Sequence, residues 1–422
     1  MKNFASLSGS TALVVGGGLV GLTSALALQR AGASVTLIEP FEAPRGASWG
    51  NAGHIAIEQV QPLASAATIR SAWAMLHPRG ALALPIGQIV TWGPFALKLL
   101  RASSADRFAS GTAALSTLLA EAMPAWRRLC DMAGASHLLR EDGHFVAWES
   151  AVTAARGRAF WLNTNLGTAT VRDATAGELA DIRNLASRGE IVAAIRFAGS
   201  GQIADLGALA DALRALFRTQ GGAFRHSAAD AIAMEGGQAA VRCGADILRA
   251  DHVLLCAGAA SAELLRPLGI RIPLIAERGY HIQSAASRWP QDMPPVAFED
   301  RSMIVTRFAG GLRAASFVEF AARAAPPDPA KWQKLRHHVA ELGLPFDPPG
   351  EPWMGARPTL PDYLPAIGRS QYASNLLYAF GHQHLGMTLA AITGELIGAL
   401  AADQPPAIDL APFDPARFGG KT

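Results

Sequence analysis

Three glycines near the start constrain this chain more than any other feature in it. Gly16, Gly18 and Gly21 stand in G-x-G-x-x-G spacing. Before them lies a short apolar run, Ala12-Leu13-Val14-Val15, and after them a helix-spaced run from Leu22 to Ala31, closed by Gly32. Val35 to Ile38 reads as a second strand, and Glu39 stands at its end. Strand, glycine turn, helix, strand and acid make a βαβ opening. The first glycine permits a tight turn. The second lets backbone approach a pyrophosphate, and the third lets the helix pack close to the strand. The helix N-terminus, with unpaired N–H groups and partial positive charge, receives the phosphates. The pattern predicts a dinucleotide site with Gly16, Gly18, Leu19, Val20 and Gly21 at the phosphates. Glu39 would accept from the adenosine ribose, and its charge disfavours a 2′-phosphate. NAD and FAD both satisfy the pattern.

Composition removes whole classes of alternative. The 422 residues suggest two or three domains. With 50% hydrophobic and 17% charged residues, the chain is not intrinsically disordered. A net charge of +3 argues against a nucleic-acid binder that works by neutralising phosphates. Cys130, Cys243 and Cys256 are scattered, so neither a disulfide framework nor a cysteine zinc site is expected. No metal is expected from His382 and His384 either, since two such ligands lack a third nearby. The opening MKNFASLSGS does not read as a secretory signal, and a cytoplasmic location is expected. The most lipid-like stretch is Ala81 to Leu100. It contains Pro85, Pro94 and Lys98, which is unfavourable for a spanning helix. A buried inter-domain segment is the plainer reading. A peripheral contact with a subunit or with the inner face of a membrane is the alternative.

Further along, Ser71 to about Ala133 reads as mostly helix. Strands are expected at Gly143 to Trp148, Ile191 to Phe197, Gly279 to Gln283, Met303 to Thr306 and Leu312 to Phe320. A hairpin is expected about Gly236-Gly237 and a buried strand at His252 to Cys256. Helices are expected at Leu206 to Gln220, Lys331 to Leu342 and from about Leu389 to Ala401.

Three further stretches separate the ligands. GASWGNAGHI (46–55), RGYHI (278–282) and GARPTLPDYLPAIG with LLYAFGHQHLGMTLAAITGEL (355–396) resemble the FAD-dependent D-amino-acid oxidase and dehydrogenase superfamily. They are most similar to bacterial D-amino-acid dehydrogenases, in the branch acting on D-proline and cis-4-hydroxy-D-proline. The resemblance implies an α/β chain: a glutathione-reductase-like FAD-binding Rossmann domain with a second α+β substrate domain built on an antiparallel sheet. The FAD domain is expected from residues 1–85, 200–262 and 352–422, and the substrate domain from 86–199 and 263–351.

The resemblance also implies residue roles. Ala47, Ser48, Asn51, Ala52 and Gly53 would approach the flavin and its pyrophosphate, with Ala257 and Gly258 forming a second contact turn. Gly381 would end a strand, and Leu385, Gly386, Met387 and Thr388 would open a helix towards the flavin's pyrimidine edge. Arg357 matches the residue that holds a substrate carboxylate, which a guanidinium pairs bidentately. Tyr280 either adds a hydrogen bond to that carboxylate or is a buried strand tyrosine. His54 and His384 either line the substrate pocket or are hydrogen-bonded structural histidines. Arg313 and Glu319 share strand parity, and a structural ion pair is expected of them. The implied reaction moves a hydride from the amine-bearing carbon of a small D-amino acid to FAD, then on to a quinone, a carrier protein or oxygen. A neutral amine requires no obligatory side-chain base, so no catalytic triad is expected. Flavin-dependent 2-hydroxy-acid, glycerol-phosphate, or glycine and sarcosine-type oxidases remain alternatives. So does an electron-transferring flavoprotein subunit of a larger complex.

Overall fold

The computed structural model describes residues 7–44, 46–66, 68–70, 81–285, 288–347 and 350–418. The predicted helix from Ser71 therefore lies outside the described residues as far as residue 80. The glycine motif folds as read. Strand β1 (Thr11–Val15) runs into the glycine turn, helix α1 (Leu19–Arg30) follows, and β2 (Ser34–Ile38) lies parallel beside β1. Strands His252–Leu255 and Leu376–Phe380 extend the parallel sheet on the other side of β1. Ala366–Arg369 closes one edge antiparallel and Ala223–Arg225 the other edge parallel.

Both faces of this sheet are covered, so its strands are continuously apolar. Ala12 and Val14 point into a core shared with α1, the helix Ala105–Met132 and the last helix, Gly386–Ala401. Leu13 and Val15 point to the opposite face, under the three-stranded meander Ala231–Glu235, Gln238–Cys243 and Asp246–Arg249. Gly386–Ala401 is apolar on nearly every side because it is buried on nearly every side. A Cβ on Gly394 would lie 2.7 Å from the Thr23 carbonyl oxygen, so glycine sets the close approach of this helix to α1.

A larger sheet forms the second domain. Its strands run in the order Glu351–Thr359, Ile275–Ser284, Gly311–Ala321, Met303–Phe308, Val296–Phe298, His144–Trp148, Ala193–Ala198 and Thr170–Asp173. Pairing is antiparallel except between Val296–Phe298 and His144–Trp148, and where Leu82–Ala83 adds parallel to Gly311–Ala321. The helix Pro329–Leu342 packs on it, burying Leu335, Val339 and Leu342 with Tyr280, Ile282 and Val305.

Two expected boundaries shift. Strand Glu351–Thr359 pairs with Ile275 to Gln283, so residues up to 359 belong to the large sheet rather than to the FAD domain. The long helix Ala105–Met132 packs into the core shared with α1, so the substrate domain does not take all of 86–199. Both errors have one cause: chain order does not reveal which sheet a segment joins.

A bulge undoes another expectation. Tyr280 pairs with Ser316 but Arg278 with Glu319, so Gly311–Ala321 carries one extra residue there. Phe317 absorbs it at φ 74. A bulge reverses the alternation of side chains beyond it. Arg313 and Glu319 thus lose their shared parity and make no ion pair. Glu319 takes Arg278 and Lys331 instead. Arg313 donates to Gln283 Oε1 and to the Asn51 carbonyl.

Candidate active site

The glycine turn has the geometry of a cradle that nothing larger fits. Gly16 adopts φ +111, and a Cβ there would meet the Cys256 carbonyl oxygen at 2.5 Å. A Cβ on Gly21 would lie 1.9 Å from the Gly16 carbonyl oxygen. The second predicted contact turn, Ala257-Gly258, therefore sits directly against the first, at the carboxyl ends of adjacent parallel strands. That is where ligands bind in sheets of this type. Helix α1 starts after Gly18 without a side chain of its own to cap it. Ser48 supplies one from the following loop, accepting the Leu19 N–H at 3.0 Å. Glu39 accepts from Gly17 N–H at 2.7 Å, which fixes its carboxylate at the end of β2. The helix terminus, the glycines and the acid together fit a dinucleotide diphosphate and its ribose.

The loop 46–53 is pinned internally. Asn51 donates to the Ser48 carbonyl at 2.6 Å and accepts from Gly53 N–H at 2.6 Å. It is also pinned to the large sheet. His281 shares a 2.8 Å hydrogen bond with the Gly50 carbonyl and stacks on Trp353. Arg313 donates to the Asn51 carbonyl. Gly53, at φ +69, leaves room for the Phe308 ring, which a Cβ would strike at 2.6 Å. Sequence reading missed His281, Trp353, Phe308 and Arg313 as supports of this loop, because they lie more than 200 positions away.

Arg357 stands on Glu351–Thr359, opposite Glu277 in register. Its Nη1 donates to Glu277 Oε1 at 3.1 Å and to the Phe317 carbonyl at 3.2 Å. Glu277 is wholly buried and also receives Thr359 Oγ1 at 3.1 Å and the Tyr363 hydroxyl at 3.2 Å. One edge of the guanidinium is thus held by protein, while its side chain keeps 27% exposure. An Arg anchored through Nη1 and still partly exposed, with Nη2 lying over Gly279, is suited to receive a second carboxylate. Glu277 was also missed in the sequence. Its position, just before RGYHI, was the only available signal.

Gly381, at φ +78, ends Leu376–Phe380, and a Cβ there would lie 2.5 Å from Leu360 Cδ1. The chain then passes through a single turn, Gln383–Leu385, into Gly386–Ala401. The opening residues of that helix are clamped. Trp126 Nε1 donates to the Met387 carbonyl at 3.1 Å, and Thr388 Oγ1 accepts the Ala56 N–H at 2.9 Å. His384 Nε2 lies 2.6 Å from Gln59 Oε1. Burial pushes the His384 pKa down to about 4, with Glu277 opposing and Arg357 reinforcing the shift. Glu277, Arg357 and Glu58 all lie near enough to His384 for their charges to act on it. His382 points away from this group, towards Thr393 Oγ1 at 3.0 Å.

His54 lies on the short strand His54–Ile55, paired with Gly201–Ile203. Its Nδ1 is 3.2 Å from the Gly201 carbonyl and its Nε2 3.4 Å from Glu58 Oε1. His144 approaches the same carboxylate at 3.9 Å, while its ring is T-shaped to His54 and stacked on Phe197. Burial drives the His144 pKa down to about 3. Burial opposes ionisation of Glu58, but the two histidines more than offset it and hold the carboxyl below its ordinary range. His54 is thus tied into a buried polar cluster rather than standing free over a pocket.

Tyr280 requires correction as a carboxylate ligand. It is buried in the large sheet, where its hydroxyl donates to Glu319 at 2.6 Å and accepts the Asp328 N–H at 3.1 Å and Arg278 Nη2 at 3.2 Å. Burial and the neighbouring Glu319 push its pKa up to about 12. The alternative reading, a buried strand tyrosine, describes it.

The cofactor cradle and the anchored arginine are the features a flavin-dependent oxidoreductase acting on amino donors requires. The chain belongs to the DAO family of FAD dependent oxidoreductases, which it matches over residues 11–400. It is 31% identical to the D-amino-acid oxidase of Bradyrhizobium diazoefficiens over 421 residues, covering 96% of this chain and 98% of that one. It is 30% identical to D-amino acid dehydrogenase 2 of Pseudomonas aeruginosa, covering 94% of this chain and 96% of that one. Among solved structures, the glycine oxidase of Geobacillus kaustophilus matches with a TM-score of 0.70 at 21% identity, covering 97% and 99% of the two chains. Iminodiacetate oxidase from Chelativorans matches at 0.69 and 19%, covering 96% and 98%. Those likenesses establish the fold, and FAD is the cofactor of the family.

Proposed function

We propose that this chain oxidises a small D-amino acid, with D-proline or cis-4-hydroxy-D-proline as the favoured substrate. The observation that carries the reading is Arg357: partly open, held on one edge by buried Glu277, and near enough to His384 for its charge to act on it. Arg357 would hold the substrate carboxylate and so fix the orientation of the α-carbon. FAD, when bound, supplies the hydride acceptor. Gly16, Gly18, Leu19, Val20, Gly21, Glu39 and Ser48 would hold its diphosphate and ribose. Ala47, Asn51, Ala52, Gly53, Ala257 and Gly258 would border it, and Gly381, Leu385, Gly386, Met387 and Thr388 would face its ring. The positive end of that last helix's dipole favours negative charge in front of it. His384, depressed to about 4, stays neutral at physiological pH and leaves Arg357 as the cation of the pocket.

Two relatives named for D-amino acids, one an oxidase and one a dehydrogenase, support the substrate class. The compact cyclic substrate rests on the resemblance of 278–282 and 355–396. Electrons would pass on to a quinone, a carrier protein or oxygen. The three cysteines are buried free thiols, which suits the reducing cytoplasm we assign to the protein.

An anaerobic visible spectrum of the FAD-loaded protein, titrated with cis-4-hydroxy-D-proline, D-proline, D-alanine and the L-forms, tests the reading. Bleaching by D-forms only is expected. A flavin band that no D-amino acid bleaches would overturn it.

A further inference from the structure

The segment left unassigned by the chemistry is the apolar stretch at 81–100. It folds as a turn, Ile86–Gln88, running into the helix Ile89–Ala102. One face of that helix belongs to the protein. Phe95 is buried against Ile275 and Phe320, with Trp92 and Leu99 packed beside it. The opposite face carries Ile86, Val90 and Leu97, which are 85%, 83% and 60% exposed, flanked by Ile89 and Leu100 at 53% and 52%. Their spacing of three, four and seven residues puts them in one stripe. A soluble surface rarely gathers five large aliphatic side chains in this way without a partner.

Charge identifies the partner. Between Glu58 and Asp106 the sequence contains no Asp or Glu, although about four would be expected at the chain's average of 34 in 422. The same stretch holds Arg70, Arg79, Lys98 and Arg101. Lys98 and Arg101 lie on the exposed side of the helix, and among the described residues neither makes an ion pair. An apolar stripe on a helix whose own charged residues are Lys98 and Arg101 matches an anionic lipid surface, with aliphatic chains entering below the headgroups and cations level with them. At 1.5 Å per residue, these 14 residues span about 21 Å, short of the roughly 30 Å hydrocarbon core. Pro94 lies inside the helix as well, which is unfavourable for a spanning segment. The helix therefore lies on the membrane rather than across it.

We infer that the helix Ile89–Ala102 and its leading turn dock this enzyme on an anionic phospholipid bilayer. The docked face is tied to the proposed active site: Leu82–Ala83, just upstream, pairs with Val318-Glu319, next to the residue whose carbonyl holds Arg357. This brings the reduced enzyme to a lipid-dissolved quinone, which deepens the proposed function by selecting among its acceptors. Docking itself does not depend on the substrate.

Flotation of the FAD-loaded full chain with vesicles tests docking apart from catalysis. Vesicles of phosphatidylcholine alone are compared with vesicles containing phosphatidylglycerol. Binding is expected to the anionic vesicles, weakening as salt rises. Lys98→Gln and Arg101→Gln should each reduce partitioning about fivefold. The pair Val90→Glu and Leu97→Glu should reduce it by at least about tenfold. Both replaced side chains are exposed, so circular dichroism and Tm should stay as in the parent and separate lost docking from lost folding. Equal binding to neutral vesicles, binding that the Glu pair leaves intact, or no binding to either vesicle would overturn the inference. So would sedimentation velocity showing a dimer that the Glu pair disperses, in the absence of vesicle binding.

Discussion

Tyr280→Phe separates two incompatible accounts of one residue. If the hydroxyl held substrate, its loss would weaken binding and leave stability unchanged. The structure demands the reverse. The hydroxyl makes a 2.6 Å bond to a buried carboxylate and satisfies the Asp328 amide. A hydrogen bond to a charged group contributes about 1.5–3 kcal/mol. Glu319 keeps Arg278 at 2.7 Å and Lys331 at 3.0 Å, so the carboxylate is not stranded and the loss stays near about 2–3 kcal/mol. At about 2.1 cal/mol/K per residue, 422 residues give an unfolding entropy of about 0.9 kcal/mol/K. The expected fall in Tm is about 2–3 °C. Scanning calorimetry of the FAD-loaded variant measures this, and anaerobic flavin reduction measures substrate affinity. An unchanged Tm with a tenfold or greater loss of substrate affinity would refute the assignment of Tyr280 to the buried network.

Three other outcomes are expected. Arg357→Lys keeps the charge but loses the planar fork. Substrate dissociation constants from flavin reduction should rise about 10- to 100-fold, the equivalent of one charge-assisted hydrogen bond, with little change in Tm. Gly21→Val drives a side chain into the Gly16 carbonyl, so the purified variant should carry less than about a tenth of the parent's flavin by absorbance. Finally, His144, His281 and His382 are all held near a pKa of about 3 by burial, below the unfolded value of about 6.5. Between those values the unfolded chain binds protons that the folded chain does not. The stability they contribute is complete above about pH 6.5 and shrinks as pH falls. The urea midpoint should therefore drop from about pH 7 to about pH 5, and equal midpoints would contradict the buried neutral state.

What the sequence determined by itself is local. Glycine spacing, strand and helix periods and the acid at position 39 specify a dinucleotide cradle, because each part lies within a few residues of the next and obeys short-range sterics. Motif similarity at both ends added FAD and the likeness of Arg357 to a carboxylate ligand. What only the tertiary structure decided is every relation across sheets. Arg357 faces Glu277 because two strands 80 positions apart align in register. Tyr280 was drawn into Glu319, and Arg313 away from it, by one inserted residue at Phe317, since a bulge inverts alternation without leaving a mark in the pattern. The apolar stretch at 81–100 was legible as apolar. Only the packing of Phe95 showed which side is turned inward and which is left for a partner.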